Sequence, residues 1–248
     1  MHKLETRNIS MGFGDHTVIQ DISIHADQGE LVSLLGVSGS GKTTLFNCIS
    51  GIYQPAAGCV LLDGEDITGQ TGRISYMLQK DLLLPYKTIV DNVALPLLIR
   101  GVPKKEARAK AGAHFAEFGL EGTQEKYPKQ LSGGMRQRAA LLRTYLFSDN
   151  VALLDEPFSA LDTITKGKIH RWYLDVMEQI KLTTVFITHD INEAILLSDR
   201  IYILSGRPGE IKYEMKIATP RSHRQDYDLS DEFMEYKRQI MGVLAQDL

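Results

Sequence analysis

The segment GVSGSGKTT at residues 36–44 places the tightest limit on how this chain folds. Its first eight residues fit the pattern G-x-x-x-x-G-K-[ST], in which glycines let the backbone fold closely around phosphate oxygens. The preceding ELVSLLG predicts a strand and the following TTLFNCIS predicts a helix. A strand, a glycine loop and a helix in this order predict an α/β domain with a phosphate site.

Two side chains of this loop have specific roles in the pattern. Lys42 can reach the β- and γ-phosphates of a nucleotide as a point charge, and Thr43 can place its hydroxyl on Mg²⁺. The predicted loop residues are Gly36, Val37, Ser38, Gly39, Ser40, Gly41, Lys42, Thr43 and Thr44.

The segment VALLDEP gives the second chemical signal, because an acidic pair follows four apolar residues. In open α/β sheets, ligands bind beyond the carboxyl ends of the strands. Asp155 can hold Mg²⁺ through water there, and Glu156 can act as the base that activates water toward the γ-phosphate. Such a pair alone is more often a turn or a helix cap, but the upstream phosphate loop favours the catalytic interpretation.

Three further side chains are weaker candidates when each is taken singly. Gln79 ends the predicted strand RISYMLQ and is otherwise an ordinary polar strand terminus. His189 follows TVFIT at another strand end, where a usually structural histidine can instead sense the γ-phosphate. Phe13 is either a core aromatic or a stacking platform for adenine.

Hydrophobic patterning divides the chain into three parts. The runs VALLD and TVFIT show little polar alternation, which is typical of central parallel strands covered on both faces. We predict one domain over residues 1–218, with a core at 1–87 and 148–218 and a helical insert at about 88–147. Residues 219–248 form a tail whose amphipathic helix we expect to pack on its own domain. Its apolar stripe is Phe233, Tyr236, Ile240, Val243 and Leu244.

Charge and composition limit the partners. The 28 basic and 31 acidic side chains give a formal charge of −3 with no long like-charge block, which offers no support for nucleic-acid binding. Cys48 and Cys59 are interpreted as small buried hydrophobes in a reducing compartment. The start MHKLETRNIS has no apolar signal region, and runs such as VALPLLI are too short to span a bilayer. We therefore expect a cytosolic, soluble chain, which leaves docking onto a membrane partner open.

The segment LSGGMRQR at residues 131–138 raises a question about the number of phosphate sites. Ser132, Gly133 and Gly134 stand directly before a predicted helix, and exposed amides at a helix start attract anions. A chain with one phosphate loop thus has a second anion-binding helix start far away in sequence.

Together these motifs resemble those of the ATP-binding subunits of ABC transporters. The matching segments, in order, are GVSGSGKT, Gln79, LSGGMRQR, VALLDEP, SALD and THD, and the resemblance spans roughly residues 4–211. It implies the P-loop NTPase ABC ATPase fold: a central, mostly parallel sheet with N-terminal antiparallel strands and an inserted α-helical subdomain.

The resemblance also implies roles for individual residues. Phe13 matches the residue that stacks on adenine, and residues 36–44 match the Walker A loop. Gln79 matches the glutamine that touches Mg²⁺ or the attacking water. Residues 132–134 match the signature loop, which contacts the γ-phosphate bound by the other subunit. The remaining matches are Asp155 and Glu156 as the Walker B pair, Asp162 as the D-loop aspartate and His189 as the switch histidine.

Partners follow from the same resemblance. The segments LLLPYKTIVDNV, DEPFSALD and SGRPGEI are similar to the branch that serves nitrate, sulfonate, taurine and thiamine-precursor importers. It implies an ATPase that binds ATP and Mg²⁺ and pairs with a second copy at the cytoplasmic face of the membrane. It further implies two integral-membrane permease subunits and, indirectly, an extracytoplasmic substrate-binding protein.

Other function classes remain open at this stage. One is a non-transport ABC ATPase that acts on nucleic acid or ribosomes, although such proteins tend to carry a long coiled coil or two cassettes. Another is a regulatory module without catalysis, although every catalytic position here is filled. Export is less favoured than import because no membrane segments are fused to the chain.

Overall fold

The computed structural model describes residues 1–148, 150–159, 163–224 and 227–245. An antiparallel sheet occupies the N-terminal part of the chain, with strand order β2-β1-β5-β6 and β3 beside β1. Its strands are β1 (Leu4–Phe13), β2 (His16–Ile22), β3 (His25–Ala26), β5 (Ala57–Leu62) and β6 (Glu65–Asp66).

A second sheet forms the centre of the molecule, with strand order β11-β10-β4-β9-β8-β7. Neighbouring strands are parallel from β10 to β7, and β11 is antiparallel to β10. The strands are β4 (Leu31–Leu35), β7 (Ser75–Met77), β8 (Val151–Asp155), β9 (Thr183–Thr188), β10 (Arg200–Ser205) and β11 (Glu210–Lys216).

The central strands are buried on both faces. Along β8, Val151 and Leu153 pack into the core shared with the antiparallel sheet, whereas Ala152 and Leu154 pack into a second core among the helices. Because successive strand residues point to opposite faces, this alternation requires a covering layer on each side. The fold is therefore the expected P-loop ABC ATPase architecture, with its parallel strands ending at one edge.

Helices complete both cores. They are α1 (Lys42–Ile49), α2 (Ile89–Val93), α3 (Leu95–Ile99), α4 (Lys104–Ala113), α5 (Gly133–Phe147), α6 (Thr163–Ile180), α7 (Ile191–Leu197) and α8 (Asp231–Ala245). Short 3-10 turns lie at Pro128–Gln130, Arg221–His223 and Tyr227–Leu229. Helices α2 to α5 lie between β7 and β8 in the chain.

Two local expectations need correction. Within the predicted helical insert, the spacing of Ala107, Ala111, Phe115 and Phe118 predicts one helical stripe. These residues do not lie on one helix, because α4 ends at Ala113 and turns follow it. Both rings are nevertheless fully buried, since the turns bring them into the helical core. Strand β7 also ends at Met77 rather than at Gln79, which lies in a bend.

The tail contacts the rest of the protein through α8. Phe233 and Ile240 are buried with Ile195 and Ile201, which belong to α7 and β10. Among the helices of the described residues, none has the length and hydropathy needed to cross a bilayer.

Candidate nucleotide site

The phosphate loop depends on glycine at two kinds of position. Gly41 has φ of +95° and caps α1 from the left-handed region, and a Cβ there would lie 2.3 Å from Ile19 Cγ2. Gly36 approaches β10 so closely that a Cβ would lie 2.2 Å from the carbonyl oxygen of Leu204. Side chains at these positions would push the loop away from the sheet that supports it.

The turn between β10 and β11 also supports the phosphate loop, through a contact that the sequence pattern does not indicate. A Cβ on Gly209 would lie 2.0 Å from the carbonyl oxygen of Ser40. The amide of Gly209 donates to Val18 O at 2.8 Å, and its carbonyl accepts from Gln20 N at 3.0 Å. The β10–β11 turn thereby joins the antiparallel sheet to the phosphate loop. The pair Pro208-Gly209 was the available signal, but a sequence does not say what such a turn packs against.

Lys42 is positioned by the loop itself. Its ammonium donates to Gly36 O at 2.8 Å and to Val37 O at 2.7 Å. Burial lowers the pKa of Lys42, while the nearby carboxylates of Glu156 and Asp155 act in the opposite direction. An ammonium has three N–H groups, so one remains to point at a bound anion. The geometry fits a lysine that meets phosphate oxygens.

Thr43 and Asp155 bring oxygen ligands together at the end of β8. The Thr43 hydroxyl lies 3.4 Å from Asp155 Oδ2. Burial and the neighbouring charge of Glu156 raise the pKa of Asp155. A divalent cation would offset both effects, and a hydroxyl with a carboxylate is a donor set that Mg²⁺ accepts. The residues present thus fit a magnesium ion beside the phosphate loop.

Glu156 lies where three predicted side chains meet. Its Oε2 accepts from Gln79 Nε2 at 2.9 Å, and its Oε1 lies 3.1 Å from His189 Nδ1. Its backbone is left-handed, with φ of +45°, and its amide donates to Ile187 O at 3.1 Å. Backbone strain of this kind is held only where the surrounding structure enforces it, as at functional sites.

Glu156 also borders two cavities. A cleft of about 370 Å³ is lined by the phosphate loop together with Val18, Asp155 and Glu156. A larger cavity of about 730 Å³ also has Glu156 in its lining, together with Gln79, Gln137 and His189 among others. A carboxylate that lines both spaces can accept a proton from water close to a bound phosphate.

Other predicted residues lie farther from this centre. Phe13 is half-exposed and meets Tyr53 edge-on, with ring centroids 5.6 Å apart, so one of its faces can accept a planar ring. Asp162 lies outside the described residues.

The signature segment forms a helix start, as its sequence predicts. Ser132 is the N-cap of α5, and its hydroxyl accepts from Met135 N at 3.3 Å. Gly133 and Gly134 begin the helix. The lining of the phosphate cleft includes no residue of 131–134. Within one chain, the two anion-binding helix starts do not share a cavity.

Helix α5 is nevertheless joined to the segment after Gln79. Arg136 Nε lies 3.1 Å from Asp81 Oδ2, and its Nη1 donates to Leu131 O at 3.0 Å. Arg143 donates to Leu82 O at 2.9 Å. Arg136 of LSGGMRQR and Arg143, two turns further along α5, thereby link the signature segment to the bend after Gln79. The sequence pattern does not indicate this link.

The fold and the site define a phosphate-loop ATP-binding protein. The sequence pattern of the ABC transporter family matches residues 19–159, and this chain belongs to that family. It is an ATP-binding ATPase subunit of the ABC transporter type.

Similar proteins extend over most of the chain. It is 48% identical over 191 residues to the formylaminopyrimidine import ATP-binding protein ThiZ of Halalkalibacterium halodurans, covering 77% of this chain and 74% of that one. It is 35% identical over 237 residues to the nitrate import ATP-binding protein NrtD of Synechocystis, covering 93% and 89%.

A solved structure extends the comparison to three dimensions. It is the dimeric post-hydrolysis state of the ATP-binding cassette MJ0796 bound to ADP and Pi, which matches with a TM-score of 0.73 and 30% identity. The match covers 88% of this chain and 100% of that one.

Proposed function

We propose that this chain is the ATP-hydrolysing subunit of an ABC importer for a small solute of the nitrate, sulfonate, taurine or thiamine-precursor type. It works at the cytoplasmic face of the membrane and drives two separate permease subunits, which an extracytoplasmic binding protein supplies. The names of the relatives support import over a non-transport role, since ThiZ and NrtD are both import proteins.

The observation that carries the proposal is the position of Glu156. It lies beside the phosphate cleft, held by Gln79 at 2.9 Å and His189 at 3.1 Å. In this account Glu156 takes the proton of the attacking water, and Gln79 and His189 keep its carboxylate oriented. Lys42 and the loop amides neutralise phosphate charge as hydrolysis proceeds.

Mg²⁺ belongs to the same proposal. Thr43 and Asp155 would hold it, with Gln79 as a further candidate ligand, and the ion would supply neutralisation of phosphate charge. Thr43→Val should require more Mg²⁺ for half-maximal hydrolysis, because the hydroxyl ligand is lost. Thr43→Ser retains the hydroxyl and is the matched control. Identical Mg²⁺ dependence in both variants would remove Thr43 from the metal site.

Dimerisation follows from the separation of the two helix starts. Residues 132–134 lie outside the phosphate cleft of their own chain, so we place them against the γ-phosphate of a second copy. The MJ0796 cassette, solved as a dimer bound to ADP and Pi, supports pairing of two copies. ATP then joins two copies, and closure of the pair moves the helical inserts that contact the permeases.

The experiment that tests the proposal is ATP hydrolysis by Glu156→Gln. The variant should bind ATP with near-normal affinity and hydrolyse it about 10²- to 10⁴-fold more slowly, since general-base catalysis contributes that much. Phosphate release measured under saturating Mg-ATP gives the rate, and titration of a fluorescent ATP analogue gives the affinity. Near-normal hydrolysis by Glu156→Gln would overturn the assignment.

A further inference from the structure

A buried carboxylate outside the phosphate cleft contacts the segment that carries His189. Glu193 in α7 is 4% exposed, and its Oε1 accepts from Lys166 Nζ at 2.7 Å. Its Oε2 accepts from the Thr188 hydroxyl at 2.7 Å. Glu193 does not line the cleft around the phosphate loop. No role described above uses this carboxylate.

Glu193 is held as an anion. Burial by itself would raise its pKa, but the nearby His170 and the hydrogen bonds from Lys166 and Thr188 outweigh burial and lower the pKa to about 2. Two of these contacts are short, whereas His170 Nε2 lies 3.5 Å away. A buried ion pair of this kind is weak support for stability as such, because desolvation of the charges offsets their attraction. The buried ion pair of Glu193 is better explained as a contact that fixes one local conformation.

The conformation it fixes is that of residues 188–190. The Thr188 hydroxyl donates to Glu193 and accepts from the amide of Asp190 at 3.0 Å. Asp190 in turn caps α7, since its Oδ1 accepts from Asn192 N at 2.9 Å. Both chain neighbours of His189 are therefore held in place, while the His189 ring itself is 57% exposed and touches Glu156.

Lys166 connects this arrangement to α6. It lies in the first turn of α6, the helix that follows the segment after Glu156. Its ammonium also lies 3.5 Å from Asp190 Oδ2. One cation thus joins the first turn of α6 to Asp190, which follows β9, and to Glu193 in α7.

We propose that Glu193 is a positioning residue for ATP hydrolysis, acting through the Thr188 hydroxyl to aim His189 at Glu156. The proposal rests on the function proposed above and assigns Glu193 no contact with nucleotide. Nucleotide affinity should therefore be insensitive to this network, and the rate of the chemical step should depend on it.

The decisive comparison is Thr188→Val with Thr188→Ser. Valine keeps the shape of threonine and removes the hydroxyl, whereas serine keeps the hydroxyl and removes a methyl group. Thr188→Val should lower kcat by up to about a hundred-fold, the cost of a misplaced catalytic group, with KM for ATP within about two-fold of the parent. Thr188→Ser should recover most of kcat.

The variant Glu193→Gln provides a second, independent test of the proposal. If Glu193 acts through Thr188, the double variant with Thr188→Val should lose little more kcat than the worse single variant. If the fold-losses in kcat of the two single variants multiply in the double variant, the two residues act separately. That result would overturn the action of Glu193 through Thr188.

A readout without hydrolysis separates this proposal from the previous one. The ring resonance of His189, assigned in ¹H–¹³C spectra with His189→Ala, should coincide in the parent and Thr188→Ser. In Thr188→Val the His189 resonance should shift toward the position that it has in Glu156→Gln, the variant in which His189 no longer contacts a carboxylate. An unmoved resonance together with unchanged kcat would overturn the proposal. A parent chain that hydrolyses ATP no faster than Glu156→Gln would overturn the proposed function, and the resonance would still decide the role of Glu193.

Discussion

At the scale of single residues, the site depends on a few side chains that strand ends bring together. Gln79, Glu156 and His189 follow three neighbouring strands, so the sequence could predict that they would meet. It could not predict that Glu156 would take a left-handed backbone or accept contacts from both partners. Those details depend on how Ile187 and the loop after Asp155 pack, which periodicity does not encode.

The phosphate loop gives a matched test of backbone strain. Gly39 and Gly41 both have positive φ, but a Cβ on Gly39 has open space whereas one on Gly41 meets Ile19. Because Ile19 is fully buried, it cannot yield. Gly41→Ala should be less stable to urea than Gly39→Ala by about 1–3 kcal/mol, the usual cost of overpacking a core.

Both alanine variants share the penalty of a left-handed residue, which is about 1–2 kcal/mol. The difference between them therefore isolates the contact with Ile19. Equal free energies of unfolding for the two variants would mean that the loop relaxes, and the tight packing of Gly41 would have no energetic consequence.

At the scale of elements, the buried cation Arg224 adds to the apolar contacts of α8 in attaching the tail. The Arg224 guanidinium is 4% exposed and donates to the carbonyls of Ile195, Leu196 and Ser198 at the end of α7, and to Thr219. It satisfies carbonyls that a helix end leaves without partners. The sequence pattern predicted the apolar stripe of α8. It could not predict the contacts of Arg224, because the partners of this arginine are backbone groups distant in the chain.

Removal of that cation should loosen α7 and the tail together. Arg224→Met leaves buried carbonyls without donors, so we expect a loss of about 2–3 kcal/mol in the free energy of unfolding. Amide hydrogen exchange should rise in α7 and α8. The exposed Arg238, paired with Glu235, is the control, and Arg238→Met should change stability by less than about 0.5 kcal/mol. Equal effects of the two variants would contradict the anchoring role of Arg224.

The buried carboxylate of α7 predicts a defined pH dependence. The pKa of Glu193 in the folded protein is about 2, below its ordinary value of 4.5. The contribution of the ionised side chain to the free energy of unfolding is therefore complete above pH 4.5 and is lost as the pH falls toward 2. The free energy of unfolding of the parent should exceed that of Glu193→Gln by about 3 kcal/mol from pH 7 to 5. This difference should narrow below about pH 4.5. Urea midpoints across this range test it. A difference that shrinks between pH 7 and 5 would contradict an ionised, hydrogen-bonded Glu193.

Sequence patterns predicted some elements better than others. The buried strands β8 and β9 have continuous apolar runs, and β4 is set by the glycine loop that follows it. The stripe through Phe115 and Phe118 failed as a helix because burial of aromatic rings is compatible with turns as well as with helical spacing. The turn at Gly209 was missed for a related reason, since its role depends on the chain it touches.

At the scale of the whole molecule, the two helix starts are parts of one coupled unit. Arg136 and Arg143 tie α5 to the bend after Gln79, and Gln79 contacts Glu156. A series of hydrogen bonds thus connects α5, through the bend after Gln79, to the carboxylate of Glu156. Sequence similarity indicated a dimer, but a chain on its own does not display the partner's half of the site.

The central claim is that LSGGM completes the nucleotide site of a second copy. The most direct measurement is the mass of Glu156→Gln in solution by light scattering, with and without Mg-ATP, because slow hydrolysis preserves the bound state. We predict a monomer without nucleotide and twice that mass with it. Adding Ser132→Arg should keep the chain monomeric while it still binds a fluorescent ATP analogue. A chain that stays monomeric with ATP, or a folded Ser132→Arg chain that no longer binds the analogue, would contradict the account.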